Sequence, residues 1–138
     1  MMDYNIAAVT ALLILVAGVT VIAAKPPLAS RRAWIVPAVL SLAFFCLTLY
    51  AVLTEGPVGF WAVHIQSAWS IQIWVDLLLA FAIGWTFLVS QAKSLGMRVW
   101  PWLIFFLCTG CIGLLAMFAR VLYLREIRNE NSSDLSTA

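Results

Sequence analysis

The chain has 138 residues, 64% of them hydrophobic and only 10% charged, with a mean hydropathy of +1.03. A soluble domain carries about 25% charged residues, so too few polar side chains remain to cover a water-facing surface, and lipid is the expected solvent for one compact domain. The net charge of +2, with basic residues at segment ends rather than in a stripe, excludes a nucleic-acid partner.

The first apolar run covers residues 6–24 and follows an acidic start, Met1-Met2-Asp3. It is about a full bilayer long, so it reads as a retained helix and not a cleaved signal peptide. Lys25-Pro26-Pro27 ends it, because paired prolines supply no amide donors and disfavour the preceding helical residue. The second run, 33–53, has Pro37 in its first turn, where a missing N–H does least harm. The connection from Thr54 to Trp69 opens with Glu55-Gly56-Pro57 and carries Phe60, Trp61 and Ile65, which predicts that it lies along the membrane surface. The third run spans 70–89. Ser94-Leu95-Gly96 then makes a short turn into the fourth, 99–122, which has Pro101 in its first turn, so the last two helices are expected to be antiparallel neighbours.

Each run is near the roughly 20 residues a helix needs to cross about 30 Å of hydrocarbon. Period-2 alternation is absent, and an open sheet cannot span lipid. The prediction is therefore all-α: an integral membrane four-helix bundle within residues 1–125 and a polar, frayed C-terminal tail over 126–138. Lys25, Arg31, Arg32, Lys93 and Arg98 fall in the two loops on one side. Arg120, Arg125 and Arg128 are counted on the other. This balance predicts a multi-pass protein with basic loops in the cytoplasm and both termini on the non-cytoplasmic side. The inner aromatic belt would hold Trp34, Trp100 and Trp102. The outer one would hold Tyr4, Tyr50, Trp61, Trp69 and Tyr123.

Asp76 is the most informative residue, since an ionised carboxylate near the bilayer centre costs roughly 2.5–3.5 kcal/mol. At helical spacing Trp69, Gln72, Asp76, Ala80, Ile83 and Phe87 share one face. That face is expected to look into the bundle, because lipid cannot hydrogen-bond the carboxylate or the amide. Arg120, in the last turn of the fourth run, is placed at a similar depth. Two readings stay open: a structural Asp76–Arg120 pair, and an acid or ligand anchor at Asp76. Glu55 and His64 sit on the same side of the membrane and would complete an acid–base group; a merely solvated histidine is the plainer reading.

Cys46, Cys108 and Cys111 all lie in apolar runs, which argues against a disulfide framework. Cys108-Thr109-Gly110-Cys111 with Gly113 reads as a small-residue patch for close helix approach rather than a redox pair. No zinc-ligand set, phosphate loop or nucleophile elbow is present, and neither a metal nor a cofactor is expected.

The run VDLLL at Val75–Leu79, AKSLGMRVWPW at Ala92–Trp102 and YLRE at Tyr123–Glu126 occur in that order. The stretch Thr54–Glu126 resembles a family of small bacterial and cyanobacterial membrane proteins defined only as a domain of unknown function. That family is distantly similar to the membrane-bound terpene cyclases of meroterpenoid pathways and to the plant membrane protein needed for neoxanthin formation. The resemblance implies a bacterial inner membrane or cyanobacterial membrane, and an acid-assisted cyclisation or isomerisation if the chain is an enzyme at all. Such cyclases use two intramembrane acids. Asp76 matches one, Glu55 at the membrane edge fits the other poorly, and a homodimer would supply a second.

The leading expectation is a membrane protein that holds a lipophilic, isoprenoid-like molecule, with Asp76 on its polar end. Gln72 and Trp69 would orient the ligand and Arg120 would set the charge. The alternatives are a non-catalytic accessory or assembly subunit of a larger membrane complex, and a transporter component. The absence of a repeat or of a broken helix pair speaks against the last.

Overall fold

The computed structural model describes residues 4–24 and 32–136. The chain divides into two units, Met1–Arg31 and Arg32–Ala138. The first contains one helix, α1 (Tyr4–Ala24). Its Thr10 and Thr20 hydroxyls donate to the carbonyls of Ile6 and Val16, each at 2.8 Å, which keeps both polar groups satisfied in an apolar helix. The Lys25-Pro26-Pro27 terminator and Arg31 lie outside the described residues.

The second unit holds α2 (Ile35–Glu55), α3 (Gly59–His64), α4 (Ala68–Ser94), α5 (Val99–Thr109) and α6 (Cys111–Ser136). No strand occurs among the described residues. Helices α2 and α4, of 21 and 27 residues, are each long and apolar enough to cross a membrane. Both end where the sequence supplies a glycine for a left-handed backbone, Gly56 at φ 84° and Gly96 at φ 73°. Ser67 starts α4 by accepting the Ser70 amide at 3.2 Å. Helix α3 forms inside the long connection, and its Phe60 and His64 rings pack on Trp74 of α4.

The fourth apolar run is not the single helix that residues 99–122 suggest. It breaks at Gly110 (φ 59°, ψ −122°), a conformation closed to side chains with a Cβ. From there α6 folds back along α5. Gly113 lies so close to α5 that a Cβ on it would sit 2.7 Å from the Phe106 Cα. The small residues thus bring two halves of one apolar run together. The resulting hairpin has a short arm: α5, at 11 residues, is roughly 16 Å long and cannot cross a bilayer.

Helix α6 is the hub, packed on α2, α4 and α5. It runs parallel to α4, with Leu114 against Gly84 and with Met117 and Val121 buried against Leu88 and Ala92. Trp102 and Val99 of α5 close this cluster, and Phe106 stacks on Trp85 at 5.2 Å. Helix α2 runs antiparallel to α6. The buried Ser41 hydroxyl donates to the Ile112 carbonyl at 2.9 Å, and Trp34 meets Tyr123 edge to face at 5.5 Å. Glu126 accepts the Arg32 amide at 3.0 Å, placing a carboxylate at the start of α2, where helix amides are unsatisfied.

Two further expectations change because the chain reverses at Gly110. Tyr123 joins Trp34 instead of an opposite aromatic belt. The C-terminal part of α6 lies beside the loops it was expected to oppose, with Arg128 Nη1 donating to the Ser94 carbonyl at 3.3 Å. Arg32, Lys93, Arg98, Arg120, Arg125 and Arg128 therefore gather at one end of this unit. The polar segment after Glu126 continues α6 as helix to Ser136.

Among the described residues of this unit, α2 and α4 alone continue beyond the hairpin turn, joined by α3. Every residue from Leu42 to Glu55 is exposed. Phe81 is the α4 residue level with Gly110, so the 68–80 stretch extends past the turn by roughly 20 Å.

Candidate functional site

Asp76 stands on that free part of α4, exposed, with Gln72 one turn away and Trp69 76% exposed. The face the three share continues through Ile83 and Phe87, which are 59% and 68% exposed. The face expected to look inward therefore looks away from the helices of its own unit. The reason is that Gly84 sets which side of α4 meets α6. Without a Cβ it admits Leu114, whose Cδ2 would lie 3.0 Å from one, and this turns Phe81, Leu88 and Ala92 toward the core.

Arg120 is not brought to Asp76. It is exposed near Val121, which is level with Leu88 and Ala92, and this puts it roughly 20 Å along the helix axis from Asp76. Its guanidinium lies 5.4 Å from the centre of the Tyr123 ring, a cation–π contact.

His64 is half-buried, its Nδ1 donating to the Phe60 carbonyl at 2.6 Å and its ring 4.6 Å from that of Trp74. Asp76 follows Trp74 by two residues, about 200° around the helix, so it points away from the imidazole. Glu55 is exposed at the end of α2, with its Cβ close to Gly59. The five polar candidates thus fall into separate places: Gln72 and Asp76 together, His64 and Glu55 around α3, and Arg120 at the far end.

Cys108 and Cys111 straddle the Gly110 turn, the first exposed and the second half-buried, and no disulfide forms among the described residues. No group of three His, Cys, Asp or Glu side chains gathers there either.

One feature was missed in the sequence. A groove of about 250 Å³ runs between α4 and α6. Gly84, Leu88 and Gln91 line one wall, and Cys111, Leu114 and Phe118 the other. Among the described residues Gln91 Oε1 is the buried side-chain polar atom with no hydrogen-bond partner. Gln91 follows Leu88 by three residues on the helix face that meets α6, a spacing readable in advance, but beside Lys93 it looks like ordinary polar trim at a helix end.

No family model, no curated protein and no solved structure matches this chain.

Proposed function

We propose that the chain is a multi-pass integral membrane protein that works in association, with the Trp69–Gln72–Asp76 face of α4 covered by another chain. The observation behind this is the outward carboxylate on a helix long enough to span. Asp76 is eight residues into α4, roughly 12 Å from its start. A helix of 27 residues overreaches a 30 Å core by about 10 Å in total, so the carboxylate falls inside the hydrocarbon. Left facing lipid it would cost up to about 2.5–3.5 kcal/mol. A neighbouring helix with a donor at the same depth removes that penalty.

The subunit reading and the ligand reading meet here. A second chain over Gln72 and Asp76 would close a cavity suited to an isoprenoid-like molecule, and the sequence resemblance to acid-using cyclases favours Asp76 as the group touching its polar end. Native mass spectrometry from mild detergent tests both. The wild type is expected to carry a second copy, another subunit or a bound small molecule. Asp76→Leu should shed it, while Asp76→Asn keeps a second copy or subunit through the amide's hydrogen bonds. A wild-type chain that stays single and empty in a lipid nanodisc would refute the proposal.

The gathering of Arg32, Lys93, Arg98, Arg120, Arg125 and Arg128 at one end makes that end cytoplasmic by the positive-inside rule. It carries the C-terminus with it, contrary to the orientation counted from the sequence. A fluorescent protein fused after Ala138 is expected to glow, and alkaline phosphatase fused there to be inactive. The reverse pattern would overturn this orientation.

A further inference from the structure

We infer that Arg120, beside Tyr123 and Trp34 in the seam between α2 and α6, binds the phosphodiester of an anionic phospholipid in the leaflet at the basic end. The inference rests on the reading of the chain as a membrane protein with that end cytoplasmic. It is independent of what covers Asp76, which stands toward the other end of α4.

Arg120 lies deeper than the other cations of the basic end. Val121 beside it is level with Leu88 and Ala92, which puts the Arg120 backbone roughly 8 Å short of the end of α4. That helix overreaches the hydrocarbon by about 5 Å at each end, so the side chain starts just inside the apolar layer. A guanidinium there needs an anion within reach of its flexible stem. Among the described residues none is offered. The first acid after it on α6 is Glu126, roughly 9 Å along the axis, and that carboxylate accepts the Arg32 amide. The Arg120 contact is with the Tyr123 ring, 5.4 Å from its centre, and no hydrogen bond or ion pair reaches it among the described residues.

A ring face attracts the charge and offers no oxygen to the N–H donors. Those donors form a planar fork that matches two phosphate oxygens. Trp34 meets the same Tyr123 ring at 5.5 Å, so the exposed arginine stands against an aromatic wall of the kind found at headgroup depth. The surrounding charge selects the headgroup. Arg32, Lys93, Arg98, Arg125 and Arg128 lie nearer the water at the same end, with Glu126 and Glu130 as the acids among them. This surplus repels a headgroup that carries its own ammonium and favours a phosphodiester without one. A soluble phosphate lacks the acyl chains that hold a lipid at the depth of Arg120, so the occupant is a lipid.

Native mass spectrometry of the full-length protein tests this, in mild detergent with equal amounts of a phosphatidylglycerol and a phosphatidylcholine of the same acyl chains. The wild type is expected to carry the glycerol lipid about tenfold more than the choline lipid, a difference worth about 1.4 kcal/mol, and to keep it in millimolar inorganic phosphate. Arg120→Gln should bring the two lipids to within about threefold of each other. Arg98→Gln removes the same unit of charge from the start of α5, outside the seam, and should leave a preference above about fivefold. Arg120→Lys keeps the charge without the fork and should fall between them. Circular dichroism establishes that each variant is folded. If Arg120→Gln fails to fold, the wild-type comparison and Arg120→Lys decide. Equal binding of the two lipids by the wild type, equal losses for Arg120→Gln and Arg98→Gln, or displacement of the lipid by inorganic phosphate would overturn the inference. A chain that alkaline carbonate strips from membranes overturns the membrane reading and this inference with it, whereas one that resists extraction and shows no lipid preference overturns the lipid assignment alone.

Discussion

Gly113→Ala is expected to destabilise the chain by about 3 kcal/mol, the upper end of what overpacking costs. The added methyl would lie 2.7 Å from the Phe106 Cα and 2.8 Å from its amide nitrogen. Both are backbone atoms, so no side chain can rotate away. Relief requires α5 to move off α6, and that movement drags Phe106 from its stack on Trp85. Unfolding in mixed detergent micelles, followed by circular dichroism, should show the loss. Gly18→Ala serves as the control, since nothing lies within 4 Å of the position its Cβ would take. Equal stability of Gly113→Ala and the wild type would mean that the two helices do not fold back on each other.

Met117→Ala should cost roughly 2–5 kcal/mol, and Met117→Leu less than about 1.5. Met117 is fully buried, as is Val121 one turn later, and both touch Leu88 and Ala92 of α4. Truncation leaves a void at the place where α4, α5 and α6 converge, and the lining atoms lose their contacts whether the outer solvent is water or lipid. The same unfolding measurement separates the two substitutions. Similar losses for both would place this residue at a lipid-facing surface.

Helices α2 and α4 were legible in the sequence because uninterrupted apolar runs of bilayer length leave few alternatives. The turn at Ser94-Leu95-Gly96 was legible too, through its glycine. The break at Gly110 was not. Residues 99–122 are apolar throughout, and glycine is common inside membrane helices, so no polar punctuation marks the reversal. That hidden reversal also misplaced Arg120, Tyr123 and the tail, all of which were positioned by assuming one straight helix. Asp76 stands out in the sequence because a charge in an apolar run is conspicuous. Its outward direction was not readable, since the face of α4 that meets α6 is chosen by Gly84, a residue with no hydrophobic signal of its own. Gln91 was passed over for the opposite reason: an amide beside a lysine at a helix end is unremarkable until burial is known.

The short reach of α5 has a geometric result for the Arg32–Ala138 unit. Four helices stand side by side at its basic end and only two continue past Gly110, so the unit tapers. In the proposed orientation it would displace about twice as many lipids from the inner leaflet as from the outer.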